Sequence, residues 1–315
     1  LRALGKAGRT MTQTPIPGFE GFEPLDLQVQ GRRVRGRVGG RPDAPPLLLL
    51  HGFPQTHAMW HRVAPTLAGQ FRLVLPDLRG YGDSEPAPDE PEQAQMGKRA
   101  LAADVLAVMR ALGHERFAVA GHDRGGRVAH RLALDAPEAV SRLAVLDIAP
   151  TLDMLEGADW RFGRAYYHWF FLAQPAPEPE RLIDTDPVRY LHRKLGGWGA
   201  GSLDHLHPAA LAEYERCMQR PEVVHAMCED YRAAFSCDMA ADRASRAAGE
   251  RVRCPLLVLW GGRGVVQALF DPLALWRAAS HDPAAVQGEA LDCGHYLPEE
   301  QPAATAARLI AFFGA

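Results

Sequence analysis

One eight-residue stretch, AGHDRGGR (residues 120–127), constrains this chain more than any other. An apolar, strand-like run, FAVA, leads into it, and a helical pattern follows over residues 127–134. Gly121 and Gly125 flank Asp123, and glycines at these positions leave room for a sharp turn from strand to helix. We therefore predict that Asp123 projects from such a turn at the carboxyl edge of a sheet, where open α/β sheets bind ligands.

Short apolar runs bounded by turn residues predict strands on both sides of this turn. LQVQGRRVRGRVG is typical of a hairpin, and the later strand-like segments are PPLLLLHG, FRLVLPDLRG, FAVAGHD, RLAVLDIAP, RCPLLVLWGG and ALDCGHYLP. Residues 96–112 have helical periodicity, and residues 299–313 predict a closing helix. This alternation indicates an α/β fold with a mostly parallel, doubly wound sheet that has helices on both faces.

The middle of the chain breaks the alternation. Residues 151–249 have few strand signals and many aromatic, proline and helix-forming residues. We predict that residues 18–150 and 250–315 form the core and that residues 151–249 form a helical cap inserted over the site. A separate all-helical domain is the alternative interpretation. Residues 1–17 are expected to be a disordered extension or tag.

Composition argues against several classes of function. The net charge of −3 over 315 residues gives no electrostatic case for binding nucleic acid or an anionic membrane. The five cysteines form no Cys-x-x-Cys pair and no zinc spacing, which favours a reducing cytoplasm and no disulfide framework. No apolar run approaches the roughly 20 residues that span a bilayer. We expect a cytoplasmic protein that uses neither a metal nor a cofactor.

The turn resembles the nucleophile elbow of α/β-hydrolases, written Gly-x-Ser-x-Gly, with Asp123 in place of serine. His295, in CGHYLPEE, precedes the last helix and is the predicted base. No acid follows LLVLWGGRG until Asp271, so we predict that Asp147, at the end of RLAVLDIAP, orients His295. The backbone N–H groups of Phe53, in HGFP, and Arg124 are the predicted oxyanion hole.

An aspartate nucleophile favours alkyl substrates. A carboxylate is already ionised at neutral pH and attacks without help from a base. Attack of Asp123 on an ester would give an anhydride, whereas attack on an sp³ carbon gives an ordinary ester and expels a leaving group. Asp123 therefore predicts halide displacement or epoxide opening, with His295 activating the water that hydrolyses the ester.

Arg124 and Arg127 narrow the predicted substrate further. They lie three residues apart at a helix start, on one face and next to the nucleophile. Two guanidinium groups can grip a carboxylate and offset its repulsion from Asp123. The alternative is that one or both arginines pair with acidic side chains elsewhere.

Six segments together resemble the fluoroacetate and haloacetate dehalogenases, a group of α/β-hydrolases, from about Phe19 onward. The segments are HGFPQTHAMWHRVAP, LGHERFAVAGHDRGGRVAHRLALDAP, LAVLDIAPT, YHWFFLAQPAP, MCEDYRA and GHYLPEE. The resemblance implies a small haloacid substrate, no cofactor and a homodimer. It implies these roles: Asp123 as nucleophile, His295 as base, Asp147 as its orienting acid, and Arg124 and Arg127 as the carboxylate clamp.

The same resemblance assigns His168, Trp169 and Tyr231 to a halide pocket and places Trp198 beside it. All three of the pocket side chains can donate hydrogen bonds to a departing anion. The chain departs from the family pattern at Gly126, which replaces a common alanine, and at Arg263, which stands where a small residue is usual. An arginine facing the site would alter the pocket.

Two other functions remain open at this point. An epoxide hydrolase would use the same Asp–His–Asp set with two cap tyrosines on the epoxide oxygen, and the candidates are Tyr166, Tyr167, Tyr190, Tyr214 and Tyr231. Arg124 disfavours this, because enzymes of that type usually have tryptophan after the nucleophile. The third interpretation is a non-catalytic binder of small carboxylates.

Overall fold

The computed structural model describes residues 15–199 and 201–314. They form an eight-stranded sheet in the order β1-β2-β4-β3-β5-β6-β7-β8, in which the β1–β2 and β2–β4 pairs are antiparallel and the other pairs are parallel. The strands are β1 (Glu23–Val29), β2 (Arg32–Gly40), β3 (Pro46–Leu50), β4 (Arg72–Pro76), β5 (Phe117–His122), β6 (Val140–Leu146), β7 (Leu256–Gly261) and β8 (Val286–Leu291). The predicted α/β fold with its mostly parallel sheet is confirmed.

Helices cover the sheet and fill the segment between β6 and β7. In the described residues they are α1 (Ala64–Ala68), α2 (Lys98–Ala111), α3 (Asp123–Asp135), α4 (Thr151–Glu156), α5 (Trp160–Ala165), α6 (Tyr167–Leu172), α7 (Glu178–Asp184), α8 (Pro187–Trp198), α9 (Pro208–Met218), α10 (Pro221–Ala233), α11 (Met239–Ala247), α12 (Val265–Leu269), α13 (Pro272–Ala278), α14 (Leu297–Glu300) and α15 (Pro302–Phe313). A π-helical turn, Ala234–Asp238, joins α10 to α11.

The helices α4–α11 form the inserted helical region, which we call the cap. Between β6 and β7, the described residues contain no strand. The proposed boundaries of the cap at residues 151 and 249 stay a prediction. Of the predicted extension over residues 1–17, residues 1–14 lie outside the described residues.

Two predicted helix boundaries were wrong. The helix predicted over residues 127–134 begins four residues earlier, at Asp123. The glycine-rich DRGG segment, which has poor helix propensity, forms its first turn. The closing helix predicted over residues 299–313 is two helices, because Pro302 has no N–H to donate and begins α15 as a new helix.

The register of the central strands brings the candidate site residues to one edge. Leu50 pairs with Gly121, His122 pairs with Leu146, and Leu146 pairs with Leu259. The strands β3, β5 and β6 therefore end level with one another. The residues that follow them, including Asp123 and Asp147, lie along this carboxyl edge.

A buried carboxyl group joins the cap to the core below this edge. Glu299, on α14, accepts hydrogen bonds from the Tyr214 hydroxyl of the cap at 3.0 Å and from the Gln55 amide. Its side chain is fully buried. Burial, which outweighs these hydrogen bonds, raises the pKa of Glu299 from 4.5 to about 8.

We expect Glu299 to make stability fall as the pH rises. The unfolded chain ionises Glu299 near pH 4.5, whereas the folded chain holds the proton up to about pH 8. The stabilisation is therefore complete below pH 4.5 and is lost as the pH rises through about 8. At pH 9, Glu299→Gln should exceed the wild type in free energy of unfolding by on the order of 3 kcal/mol.

Urea unfolding at pH 5 and pH 9 measures this difference. Glu289→Gln, which removes the carboxylate of a half-exposed ion pair with Arg308, is the matched control and should leave the pH dependence unchanged. Equal pH dependence in Glu299→Gln and the wild type would contradict the assignment.

Candidate active site

The turn between β5 and α3 holds Asp123 in a strained conformation. Its φ is +46°, in the left-handed region that non-glycine residues rarely occupy. The two flanking glycines have no room for a side chain: a Cβ on Gly121 would lie 2.4 Å from the Gly125 carbonyl oxygen, and one on Gly125 would lie 2.3 Å from the His51 carbonyl oxygen. A non-glycine residue at φ above zero costs about 1–3 kcal/mol and is typical of functional sites.

The loop after β3 fixes one oxygen of the Asp123 carboxylate. The Phe53 N–H donates to Asp123 Oδ1 at 3.0 Å. Gly52 makes this approach possible, because a Cβ there would lie 2.5 Å from the Asp123 Cβ. Oδ1 therefore accepts from one of the two N–H groups that were predicted to hold an oxyanion, and this hydrogen bond does not involve Oδ2. The second predicted donor, the Arg124 N–H, stays a prediction.

His295 and Asp147 meet at the same edge. His295 Nδ1 lies 2.5 Å from Asp147 Oδ2, and Asp147 Oδ1 accepts a hydrogen bond from the Gly261 N–H at 2.9 Å. Asp147 also has a positive φ, +52°. Because a carboxylate oxygen accepts, Nδ1 carries the proton, which leaves Nε2 as the basic nitrogen of a neutral His295.

Burial and nearby charges set the protonation states of Asp123 and His295. Burial alone would raise the pKa of Asp123, but the charges of His295 and Arg127 outweigh it and lower that pKa. Burial would likewise lower the pKa of His295, but the Asp147 hydrogen bond and the charges of Asp147 and Asp123 raise it above 6.5. Asp123 is therefore ionised at neutral pH, as a nucleophile must be.

Arg124 is paired with a residue of the cap. Its Nε and Nη2 donate to the two carboxylate oxygens of Asp230 at 2.9 and 2.7 Å, and both side chains are fully buried. Lys98 and the Tyr81 hydroxyl also donate to Asp230, the latter at 2.8 Å. The remaining Arg124 nitrogen, Nη1, is buried and has no hydrogen-bond partner in the described part of the chain.

Arg127 has no carboxylate partner among the described residues. Its Nη1 donates to the Ala149 carbonyl at 3.1 Å and to the Thr151 hydroxyl at 2.9 Å, while Nη2 lies 3.2 Å from the Met154 sulfur. Its Nε is buried without a partner in the same set of residues. Two buried N–H donors, Nη1 of Arg124 and Nε of Arg127, are thus left without an acceptor, and an unmade bond of this kind costs about 1–3 kcal/mol.

Cap aromatics pack against both arginines. The Arg124 guanidinium lies 4.4 Å from the centre of the Tyr231 ring, and that of Arg127 lies 4.7 Å from the Trp169 ring. The Phe53 ring contacts Tyr231 at 5.2 Å and stacks on His168 at 6.0 Å between ring centres. The three residues assigned to a halide pocket are therefore brought together above the elbow.

His168 is neutral in this environment, because burial holds its pKa well below 6.5. Its Nδ1 is buried without a hydrogen-bond partner in the described residues. Trp198 lies 4.1 Å from the His168 ring and 5.9 Å from the His295 ring, and its carbonyl accepts the His295 backbone N–H at 2.9 Å. The cap thus contacts His295, the predicted base, directly.

Other sequence candidates lie elsewhere. Arg263 is exposed and paired with Asp292, so it adds no cation to the pocket. Among the tyrosines, Tyr214 binds Glu299, whereas the charge of Asp123 acts on both Tyr166 and Tyr231 and helps burial to raise their pKa values well above 10.

Within residues 15–199 and 201–314, no group of three or more His, Cys, Asp or Glu side chains could hold a metal ion. Among the same residues, no helix is long and apolar enough to cross a bilayer.

Sequence reasoning missed Asp230, Lys98 and Gly52. Asp230 stands beside Tyr231 in MCEDYRA, and an acid next to a pocket residue was the available signal. Nothing local marks Lys98, which reaches Asp230 across 132 residues of sequence.

Comparison with known proteins identifies the family. The family model of the alpha/beta hydrolase fold matches residues 45–302. The chain belongs to the α/β-hydrolase fold family.

Relatives within the α/β-hydrolases include both candidate activities. A fluoroacetate dehalogenase from Burkholderia sp. is 44% identical over 290 residues, which are 91% of this chain and 92% of the relative. A soluble epoxide hydrolase from Corynebacterium sp. is 33% identical over 82% of this chain and 86% of its own length. A solved structure from Pseudomonas aeruginosa, named as a candidate epoxide hydrolase, is 47% identical with a TM-score of 0.88 and covers 95% of this chain and 97% of its own.

The elbow geometry makes a prediction for stability. Gly125→Ala places a methyl group against the backbone oxygen of His51, which cannot move away as a side chain could. We expect the free energy of unfolding to fall by at least about 2 kcal/mol. Gly197→Ala is the control, since no atom lies within 4 Å of its added Cβ, and that helical position should gain up to about 1 kcal/mol.

Urea denaturation of both variants measures these changes. An unchanged midpoint for Gly125→Ala would contradict the packing argument.

Proposed function

We propose that this α/β-hydrolase converts a haloacetate and water into glycolate and a halide ion. The observation that carries the proposal is the pair of buried, unpartnered donors, Nη1 of Arg124 and Nε of Arg127, next to an ionised Asp123. A substrate carboxylate would supply the missing acceptors for both. The similarity to fluoroacetate dehalogenase supports the same substrate class.

In the first step, Asp123 Oδ2 attacks the carbon that bears the halogen. A new C–O bond forms, the C–halogen bond breaks, and the halide leaves with the electron pair. The Phe53 N–H, 3.0 Å from Oδ1, orients the carboxylate so that Oδ2 faces the substrate. The arginine clamp fixes the substrate and offsets its repulsion from Asp123.

In the second step, His295 Nε2 removes a proton from water, which attacks the carbonyl carbon of the Asp123 ester. The developing oxyanion is Oδ1, which already has the Phe53 N–H as donor. The bond between the carbonyl carbon and Oδ2 then breaks, glycolate leaves with Oδ2 and accepts the proton held by His295, and the Asp123 carboxylate is restored. Forming the ester removes the Asp123 charge, one of the causes that raise the pKa of His295. His295 therefore becomes a neutral base more readily once the ester has formed.

His168, Trp169 and Tyr231 are the proposed hydrogen-bond donors to the halide. They meet around Phe53 and the two arginines, and each has a donor group. Donors that converge on the departing ion stabilise charge as it develops in the transition state.

An epoxide hydrolase is the second candidate. Two cap tyrosines, Tyr166 and Tyr231, are buried and feel the charge of Asp123, and a pair of tyrosines can donate to an epoxide oxygen. The epoxide hydrolase relatives support the same candidate. The unpartnered arginine nitrogens disfavour it, because a neutral epoxide leaves them without acceptors.

Ion-selective measurement of fluoride and chloride release from fluoroacetate and chloroacetate tests the proposal, with styrene oxide as a competing substrate. We expect halide release by the wild type and none by Asp123→Asn, whose amide is a poor nucleophile. Turnover of styrene oxide alone would establish the epoxide hydrolase. Tight binding of glycolate with no turnover of any substrate would leave a carboxylate binder.

The clamp makes a separate prediction. Arg127→Met removes the cation and its free donor, so kcat/KM for chloroacetate should fall about 10- to 100-fold, mainly through KM. Arg99→Met removes an exposed arginine that pairs with Asp135 and should change kcat/KM less than about twofold. Steady-state kinetics at fixed ionic strength measures both, and an unchanged KM in Arg127→Met would disprove the clamp.

A further inference from the structure

Lys194, on the cap helix α8, is a largely buried side chain whose ammonium group lies among three aromatic rings. Its Nζ lies 3.7 Å from the centre of the Tyr167 ring, 4.9 Å from the Trp198 ring and 5.2 Å from the Tyr190 ring. Only 2% of the residue is exposed. The faces of aromatic rings attract cations, so this aromatic box holds the ammonium in place.

The charge of Lys194 is not balanced by a carboxylate. In the described residues it forms no ion pair and no hydrogen bond through Nζ, in contrast to Arg124, which is matched by Asp230. Burial, and to a lesser degree the charge of Arg193, lower its pKa from 10.5 to about 7. A buried cation without an anion is rare, because removing it from water is costly.

Trp198 connects Lys194 to the proposed halide pocket. The centre of the Trp198 ring lies 4.9 Å from Nζ and 4.1 Å from the centre of the His168 ring, so Nζ lies at most about 9 Å from the centre of the His168 ring. After burial, the charge of Lys194 is the largest cause that lowers the pKa of His168. The two groups therefore interact electrostatically across the indole.

We propose that Lys194 supplies positive potential to the halide pocket and stabilises the anion held by His168, Trp169 and Tyr231 without touching it. This rests on the proposed function, since it concerns the halide that the reaction releases. Burial keeps His168 neutral, and the charge of Lys194 adds to that effect, so His168 does not supply a positive charge itself. Lys194 therefore adds to the positive potential that Arg124 and Arg127 give the pocket.

The expected size of the effect follows from the separation. A unit charge about 9 Å from an anion, in surroundings with an effective dielectric constant near 20, changes its affinity by about 20-fold. An effect of this size is measurable.

Bromide titration of the intact protein at pH 6, where Lys194 is protonated, tests this proposal. The readout is the saturable quenching of tryptophan fluorescence at constant ionic strength. Lys194→Met should weaken bromide binding about 20-fold, whereas Lys194→Arg, which keeps the charge, should bind bromide within about threefold of the wild type. Lys194→Gln serves as a second neutral variant, and thermal unfolding confirms that each variant is folded.

Arg193→Met is the matched control, because this neighbouring cation on the same helix is exposed. It should bind bromide like the wild type. Wild-type affinity in Lys194→Met and Lys194→Gln would overturn the proposal. Equally weak binding in Lys194→Arg and Lys194→Met would also overturn it, since the shape of the box and not its charge would then matter.

Chloride release from chloroacetate separates this proposal from the proposed function. Release by the wild type, with unchanged kcat/KM in Lys194→Met, removes only the role of Lys194. Absence of release by the wild type would disprove the dehalogenase function itself.

Discussion

The buried ion pair between Arg124 and Asp230 fixes the cap on the core. Arg124 begins the helix that carries Asp123, whereas Asp230 belongs to cap helix α10. Breaking such a pair leaves a buried charge uncompensated, at about 3–5 kcal/mol. Any shift of the cap would break it, so the pair sets the position of Tyr231, the next residue, over the site. It also uses two of the three Arg124 nitrogens and leaves the third, Nη1, without a hydrogen-bond partner in the described residues.

The elbow and its neighbours could be predicted from sequence because their signals are local. The glycines on either side of Asp123 are required by contacts within the same turn and with the adjacent strand. Parallel strands end at one edge, so placing Asp147 and His295 near Asp123 needed only the strand assignments. The resemblance to dehalogenases then supplied the cap aromatics, which no pattern in the sequence distinguishes from ordinary core residues.

The partners of the charged side chains could not be predicted, since they depend on how distant elements pack. Arg124 meets Asp230 across 106 residues of sequence, and Arg127 meets only carbonyl, hydroxyl and sulfur acceptors. The sequence predicts the same role for Arg124 and Arg127. In the structure, Arg124 is paired with a carboxylate of the cap, whereas Arg127 has no carboxylate partner among the described residues. Lys194 shows the same limit, because its aromatic box is assembled from two helices.

The hydrogen bond from Phe53 to one oxygen of Asp123 has a consequence for the atoms of the enzyme. In the proposed chemistry, Oδ2 departs inside the glycolate and an oxygen atom from water takes its place, while Oδ1 stays bound to the loop. As long as the carboxylate does not rotate, the two oxygens have different lifetimes. Oδ1 dates from the synthesis of the chain, and its neighbour is renewed at every turnover. In this chemistry, one oxygen atom of the protein is consumed and replaced in each turnover, whereas every other atom is unchanged when the reaction ends.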